Sequence, residues 1–135
     1  MEIDLLIEEE LVLVTTDLKT YLANDPRYVH VEWGPDFSLH HAVSFPDTTP
    51  SLVANLGPLA LSYILLEGGS GYFRMHAVQP HLASGKLHLV PGAPRFSFPV
   101  YATHSANVDA ATLGAALTVL RAVTKVETRI TDGAA

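Results

Sequence analysis

At 135 residues, 48% hydrophobic and 16% charged, the chain is long enough for one compact core and too short for two self-sufficient ones. Its formal charge of −6, with eight scattered Lys and Arg, disfavours a phosphate-binding face, which needs clustered cations. The lack of cysteine excludes disulfides, thiolate metal sites and a cysteine nucleophile. The N-terminus has neither the basic start nor the sustained apolar run of a signal peptide, and no stretch reaches transmembrane length, so a cytoplasmic protein is expected.

Taken in chain order, Glu8-Glu9-Glu10 reads as a solvated charge run, and Leu11 to Val14 as a buried strand ended by Thr15-Thr16-Asp17. Tyr28 to Trp33 alternates Val29, Val31 and Trp33 against Tyr28, His30 and Glu32, the period of a strand with one core face. Gly34-Pro35-Asp36 turns the chain, with Asp36 as expected N-cap of a short helix through Phe37, Leu39 and His40. Pro46 to Pro50 is a loop and Ser51 to Asn55 a strand. Pro58 suits the first position of a helix running to Glu67, and Gly68 the residue past its end. Gly68 to Gly71 lacks the Lys-Ser/Thr of a phosphate loop and follows a helix, so it reads as a tight turn. Gly71 to Arg74 forms a strand, and Ala77 to Ser84 a helix in which Pro80 belongs to the first turn. Leu87 to Val90 and Phe98 to Ala102 supply two more strands, separated by the stiff Pro91 to Arg95. The tail predicts a helix capped by Ser105 or Asn107, with Leu113, Ala116, Leu117, Leu120 and Val123 facing the core, and a frayed end at Thr131 to Ala135. Alternating strands and helices imply crossover connections, hence an α/β fold with a mainly parallel sheet.

Three phrases in order, Gly57-Pro-Leu-Ala-Leu61, Ile64-Leu-Leu-Glu-Gly-Gly-Ser-Gly-Tyr-Phe73 and Pro80-His-Leu-Ala-Ser-Gly-Lys-Leu87, resemble the effector-sensing domain of LysR-type transcriptional regulators. Glu9 to Val14, Val29-His-Val-Glu-Trp-Gly-Pro-Asp-Phe37 and Phe98-Pro-Val-Tyr101 extend the resemblance over about residues 5 to 125. It implies the two-lobe, type-2 periplasmic-binding-protein-like arrangement with lobe I incomplete: about 1–20 and 95–130 in lobe I, about 21–94 in lobe II. It further implies an N-terminally truncated regulatory domain without its DNA-binding part, a small-molecule effector between the lobes, and a homo-oligomer in which the helix around Ala77 to Leu82 offers partner surface. No contact with nucleic acid or membrane is expected from the chain. The alternatives are a stand-alone metabolite-binding module, a fragment that pairs with a full regulator, or a small hydrolase.

In open α/β sheets, ligands sit beyond the carboxyl ends of strands, near helix N-termini. With the interlobe cleft that the resemblance implies, the expected effector-binding residues are Thr15, Thr16, Trp33, Gly34, Pro35, Asp36, Phe37, Asn55, Gly57, Gly71, Tyr72 and Phe73, and hydroxyl and amide donors there suit a small carboxylate. Tyr72 and Phe73 point to opposite faces of one strand, so they read first as core, with one of them free to face the cleft. No cofactor or catalytic residue is expected: Ser105, His104 and Asp109 have the residue types of a triad, but triad members normally converge from separate elements. Among the seven histidines, His40 and His41 diverge on a helix, and His30 with Glu32 lacks a third ligand, so no metal is expected.

Overall fold

The structure, a computed structural model, describes residues 2–21, 25–105, 107 and 109–133. The long strand β1 (Glu2–Thr15) is followed by β2 (Val29–Val31), α1 (Pro35–Ser44), β3 (Leu52–Ala54), α2 (Gly57–Glu67), β4 (Ser70–Arg74), α3 (Met75–Ala83), β5 (His88–Leu89), β6 (Phe96–His104) and α4 (Ala110–Gly133).

Strand direction follows from the pairings. β2 pairs parallel with β3, and Tyr28, one residue before β2, bridges Ser70 of β4 in parallel. β4 and β5 both pair antiparallel with β1, and therefore share a direction with β2 and β3. The helices between these four strands are thus the expected crossovers, and the class is α/β. The expectation of a mainly parallel sheet fails at β1, which inserts against the others and makes every pairing of the four-stranded sheet antiparallel. The helix–strand alternation begins only at β2, so it carried no information about β1.

Along β1, Leu11 and Leu13 join one buried cluster with Tyr28, Phe37 and Tyr72, while Val12 and Val14 join the other with Val29, Val31, Ile64, Phe73 and Val78. The strand is therefore buried on both faces, and each such aliphatic side chain contributes about 1.5–3 kcal/mol. Tyr72 and Phe73 split between the same two clusters by the same alternation, and both are fully buried.

Residues 2–10 of β1 pair only with β6, forming a ribbon that leaves the body, with a register shift between Leu5 and Ile7. The acidic run lies on this ribbon, and only part of it is solvated. Glu8 and Glu10 are exposed, whereas Glu9 is buried because it points back toward the body. There its Oε1 accepts from His76 Nδ1 at 2.6 Å and from the His76 backbone N–H at 3.1 Å, and Oε2 accepts from Arg74 Nη2 at 3.3 Å. A carboxylate at the start of α3 also complements that helix's dipole.

Three boundaries differ from expectation. The N-cap of α1 is Gly34 with φ +102°, because Pro35 takes the first helical position and moves Asp36 into the first turn. α3 begins two residues early, which leaves Pro80 inside the helix with no N–H for the His76 carbonyl. α4 is capped by Asp109, whose Oδ2 accepts from Thr112 N at 3.0 Å. α4 packs against α3 and β1, but only Leu113 and Leu117 of its expected apolar stripe are half-buried; Ala116, Leu120 and Val123 are exposed. The helix continues through Thr131 to Gly133, and the rest of the expected frayed end lies outside the described residues.

Candidate functional site

The carboxyl ends of β2, β3 and β4 lie on one edge of the body, where α1 and α2 start without side-chain caps and α3 starts against the Glu9 carboxylate. Because β1 runs the other way, its end at Thr15 and Thr16 lies on the opposite edge, beside the start of β4. Thr16 is committed there: Gly69 N donates to its Oγ1 at 2.9 Å, and Thr16 N donates to Gly69 O at 3.0 Å. Thr15 is buried and closes a turn with Asp17. The neighbouring Asp25, also buried, accepts from Ser70 Oγ at 2.9 Å, and the turn Gly68-Gly69 has positive φ at both residues. This edge is a closed hydrogen-bonded network, and the two threonines do not join the other expected site residues.

On the strand-end edge, Trp33 acts as a wedge. Its Nε1 donates to Tyr72 O at 2.9 Å, its ring meets Phe98 edge-on at 5.2 Å, and it lies so close to Gly57 that a Cβ there would stand 2.5 Å from Cη2. Gly57 is thus a packing requirement. So is Gly71, where a Cβ would stand 2.9 Å from Val29 O. Tyr72 donates to Pro94 O at 2.7 Å, and burial pushes its phenol pKa up. Asn55 is exposed and faces a separate groove between β3 and α2.

Two hollows compete for a ligand. The larger, about 820 Å³, is that groove; its walls are mainly apolar, with Glu32, Asn55 and Ser62 among them, and come from β3, α2 and the residues beside them. The smaller, about 550 Å³, opens between α1 and β6 and is lined by Asp36, Phe37, His40, Val43, Ser44, Arg95, Phe96, Ser97 and Pro99. Its floor is aromatic: Phe37 meets Phe96 edge-on at 5.3 Å and Tyr72 at 5.6 Å, and His40 stacks on Phe96 at 6.5 Å. Arg95 Nη1 donates to Glu10 Oε2 at 3.1 Å, whereas the Asp36 carboxylate has no hydrogen bond or ion pair among the described residues.

Of the residues expected to contact an effector, only Asp36 and Phe37 line this second hollow. The chain reading missed the β6 wall because it began that strand at Phe98, two residues late; the alternation of Phe96 and Phe98 about Ser97 was the available signal. The divergence of His40 and His41 is as read. His40 turns to the hollow, while His41 is buried on Tyr28, with the hydroxyl 2.7 Å from Nε2. Burial, reinforced by the nearby His30, pulls the His41 pKa down to about 4. His30 Nε2 lies 3.3 Å from Glu32 Oε1, and among the described residues no three His, Asp or Glu converge on a metal-sized site. Asp109, offered as a triad member, is occupied in capping α4, and the His104 side chain lies outside the described residues.

No protein-family model matches the chain. In sequence it is 31% identical over 99 residues to the HTH-type transcriptional regulator HdfR of Escherichia coli O139:H28, covering 73% of this chain and 34% of that protein, and equally to HdfR of Shigella dysenteriae. The chain thus spans about a third of the length of the curated relatives it matches. Among solved structures it resembles the apo regulatory domain of HypT from Salmonella typhimurium, with a TM-score of 0.68 at 16% identity, covering 90% of this chain and 66% of that one. It also resembles Vibrio fischeri DarR in complex with DNA, with a TM-score of 0.66 at 16% identity, covering 89% and 44%. A third likeness is to full-length LysG of Corynebacterium glutamicum with bound effector Arg, with a TM-score of 0.55 at 17% identity, covering 98% and 46%.

Proposed function

We propose that this chain, whose homologues are LysR-type regulators and whose fold is that of their regulatory domain, senses a small-molecule effector in the hollow between α1 and β6. The observation that carries the reading is the origin of the walls. Asp36, Phe37, His40, Val43 and Ser44 come from the body, and Phe96, Ser97 and Pro99 from the strand that pairs with β1 in the ribbon. In the lobe division proposed here, about 1–20 and 95–130 form part of lobe I and about 21–94 form lobe II, so a ligand in the hollow touches both. Its affinity then depends on their spacing, which is the condition for ligand binding to shift a conformational equilibrium. The larger groove is built from lobe II alone and lacks that property. At about 550 Å³ the hollow falls within the usual range for small-molecule sites.

The signal would pass from the hollow through β1 and β6 to whatever the ribbon adjoins. Glu9 ties β1 to Arg74 and His76, so a change in ribbon setting reaches the start of α3. Contact with DNA is assigned elsewhere than this chain: Lys and Arg are few, and among the described residues Arg27, Arg74 and Arg95 are engaged by carboxylates. We also assign a homo-oligomeric state, with the partner surface on β3 and α2, where Leu52, Val53, Leu59, Tyr63 and Leu66 are exposed, and away from α3, which α4 partly covers.

Ser44 and Ser97 stand on opposite walls of the hollow, and filling it tests the site. Ser44→Trp and Ser97→Trp should each weaken a metabolite found by thermal-shift screening about tenfold or more. The stability of the apo chain should change by no more than the ~0.5 kcal/mol typical of surface changes. Unchanged affinity in both variants would remove the hollow from consideration.

A further inference from the structure

Resting on the reading of this hollow as the effector site, we infer that it selects a small organic cation, a primary ammonium on an apolar or aromatic body, in preference to the carboxylate that strand-end donors suggest. Three features point the same way. First, the charged groups that face the cavity are unequal in availability: the Arg95 guanidinium is held by Glu10 at 3.1 Å, while the Asp36 carboxylate has no partner among the described residues. With the Arg95–Glu10 pair cancelling, the hollow presents a net charge of about −1, and at physiological ionic strength charges within roughly 8 Å still act on a bound ion. Second, the rings of Phe37 and Phe96 line the hollow, with His40 stacked on Phe96, and give an apolar surface for the aromatic body. Third, the helix start at the hollow already faces an acid, because Asp36 lies in the first turn of α1. A ligand carboxylate would meet Asp36 there.

Asp36 has an alternative, purely structural use, as a first-turn acid that complements the α1 dipole. That use predicts a small loss of stability on neutralisation and no effect on ligand charge preference, so the two roles separate.

The test employs three probes of nearly equal size: 2-phenylethylamine, 2-phenylethanol and 3-phenylpropionate. Each is titrated into the isotopically labelled chain at pH 7.5, and backbone amide shifts are followed. The amine should bind about three- to fivefold more tightly than the alcohol, the worth of one exposed ion pair. It should perturb amides at 36–44 and 95–99, and the carboxylate should bind more weakly than either. In Asp36→Asn the amine and the alcohol should become equal within about twofold. A carboxylate that binds at those amides as well as the amine does, or an amine preference that survives Asp36→Asn, would overturn the inference while leaving the site in place. Perturbations from all three probes confined to the β3–α2 groove, or no saturable binding by any of them, would overturn both the inference and the site.

Discussion

His41 shows how one residue acquires a property that its sequence neighbours do not announce. Adjacent to His40 in the chain, it turns inward on α1 among the rings of Tyr28, Phe37, Phe45 and Tyr72, and burial holds its pKa at about 4 against an ordinary 6.5. The unfolded chain therefore takes up a proton at His41 at a pH where the folded chain refuses it. Its contribution to stability is complete above pH 6.5 and is lost as pH falls toward 4. Glu9 acts in a lower window: its pKa is lowered, with burial opposing and the His76 and Arg74 contacts prevailing, so its contribution holds above about 4.5 and is lost below. Urea unfolding at pH 7, 5.5 and 4.5 should show falling stability in the wild type and a shallower decline in His41→Gln. Equal slopes would assign the acid sensitivity elsewhere. That His40 and His41 diverge was legible from helical spacing; which of the two is buried was not, because it depends on how β2 and α1 pack.

At the scale of elements, the sequence was most readable where local chemistry acts alone. Pro58 and Gly68 bracket α2, and Gly68-Gly69 makes the tight turn, because helix ends and positive φ impose their own residue types. It was least readable where tertiary contacts decide. β1 extends nine residues N-terminal to its apolar run because β6 pairs with it, and the burial of Glu9 is not legible in the acidic run because its partners Arg74 and His76 lie more than 60 residues away. α3 offers a local test. Pro80 sits inside the helix and leaves the His76 carbonyl without its i+4 donor, so Pro80→Ala should stabilise the chain by about 1 kcal/mol or more, net of the added freedom of the unfolded chain. A destabilised variant, measured by the same urea titration, would show that the proline ring makes packing contacts that outweigh the missing bond.

For the whole molecule, direction of chain is the fact that reorganises the site. An alternating pattern led to a parallel sheet, and a parallel sheet would have brought Thr15 and Thr16 to the same edge as Trp33 to Phe37; the antiparallel setting of β1 puts them on opposite edges. What remained of the expected site, Asp36 and Phe37, is completed by residues some 60 positions later in the chain, which no local pattern could attach to them. The exposed apolar face of β3 and α2 bears on assembly. Leu66 is 84% exposed and Leu59 64% exposed, a placement that favours association over an isolated monomer. Light scattering at tens of micromolar should report a dimer or larger species, and Leu59→Lys with Leu66→Lys should convert it to monomer without loss of helicity. A wild-type monomer would contradict the assignment.

The central claim, that an effector joins body and ribbon in the hollow between α1 and β6, is tested most directly by hydrogen exchange read by mass spectrometry. The chain is compared with and without saturating amounts of each metabolite that raises its melting temperature. Protection in both 35–44 and 95–104, with little change in 52–66, is the predicted result. Protection confined to 52–66, or spread evenly over the chain, would contradict it.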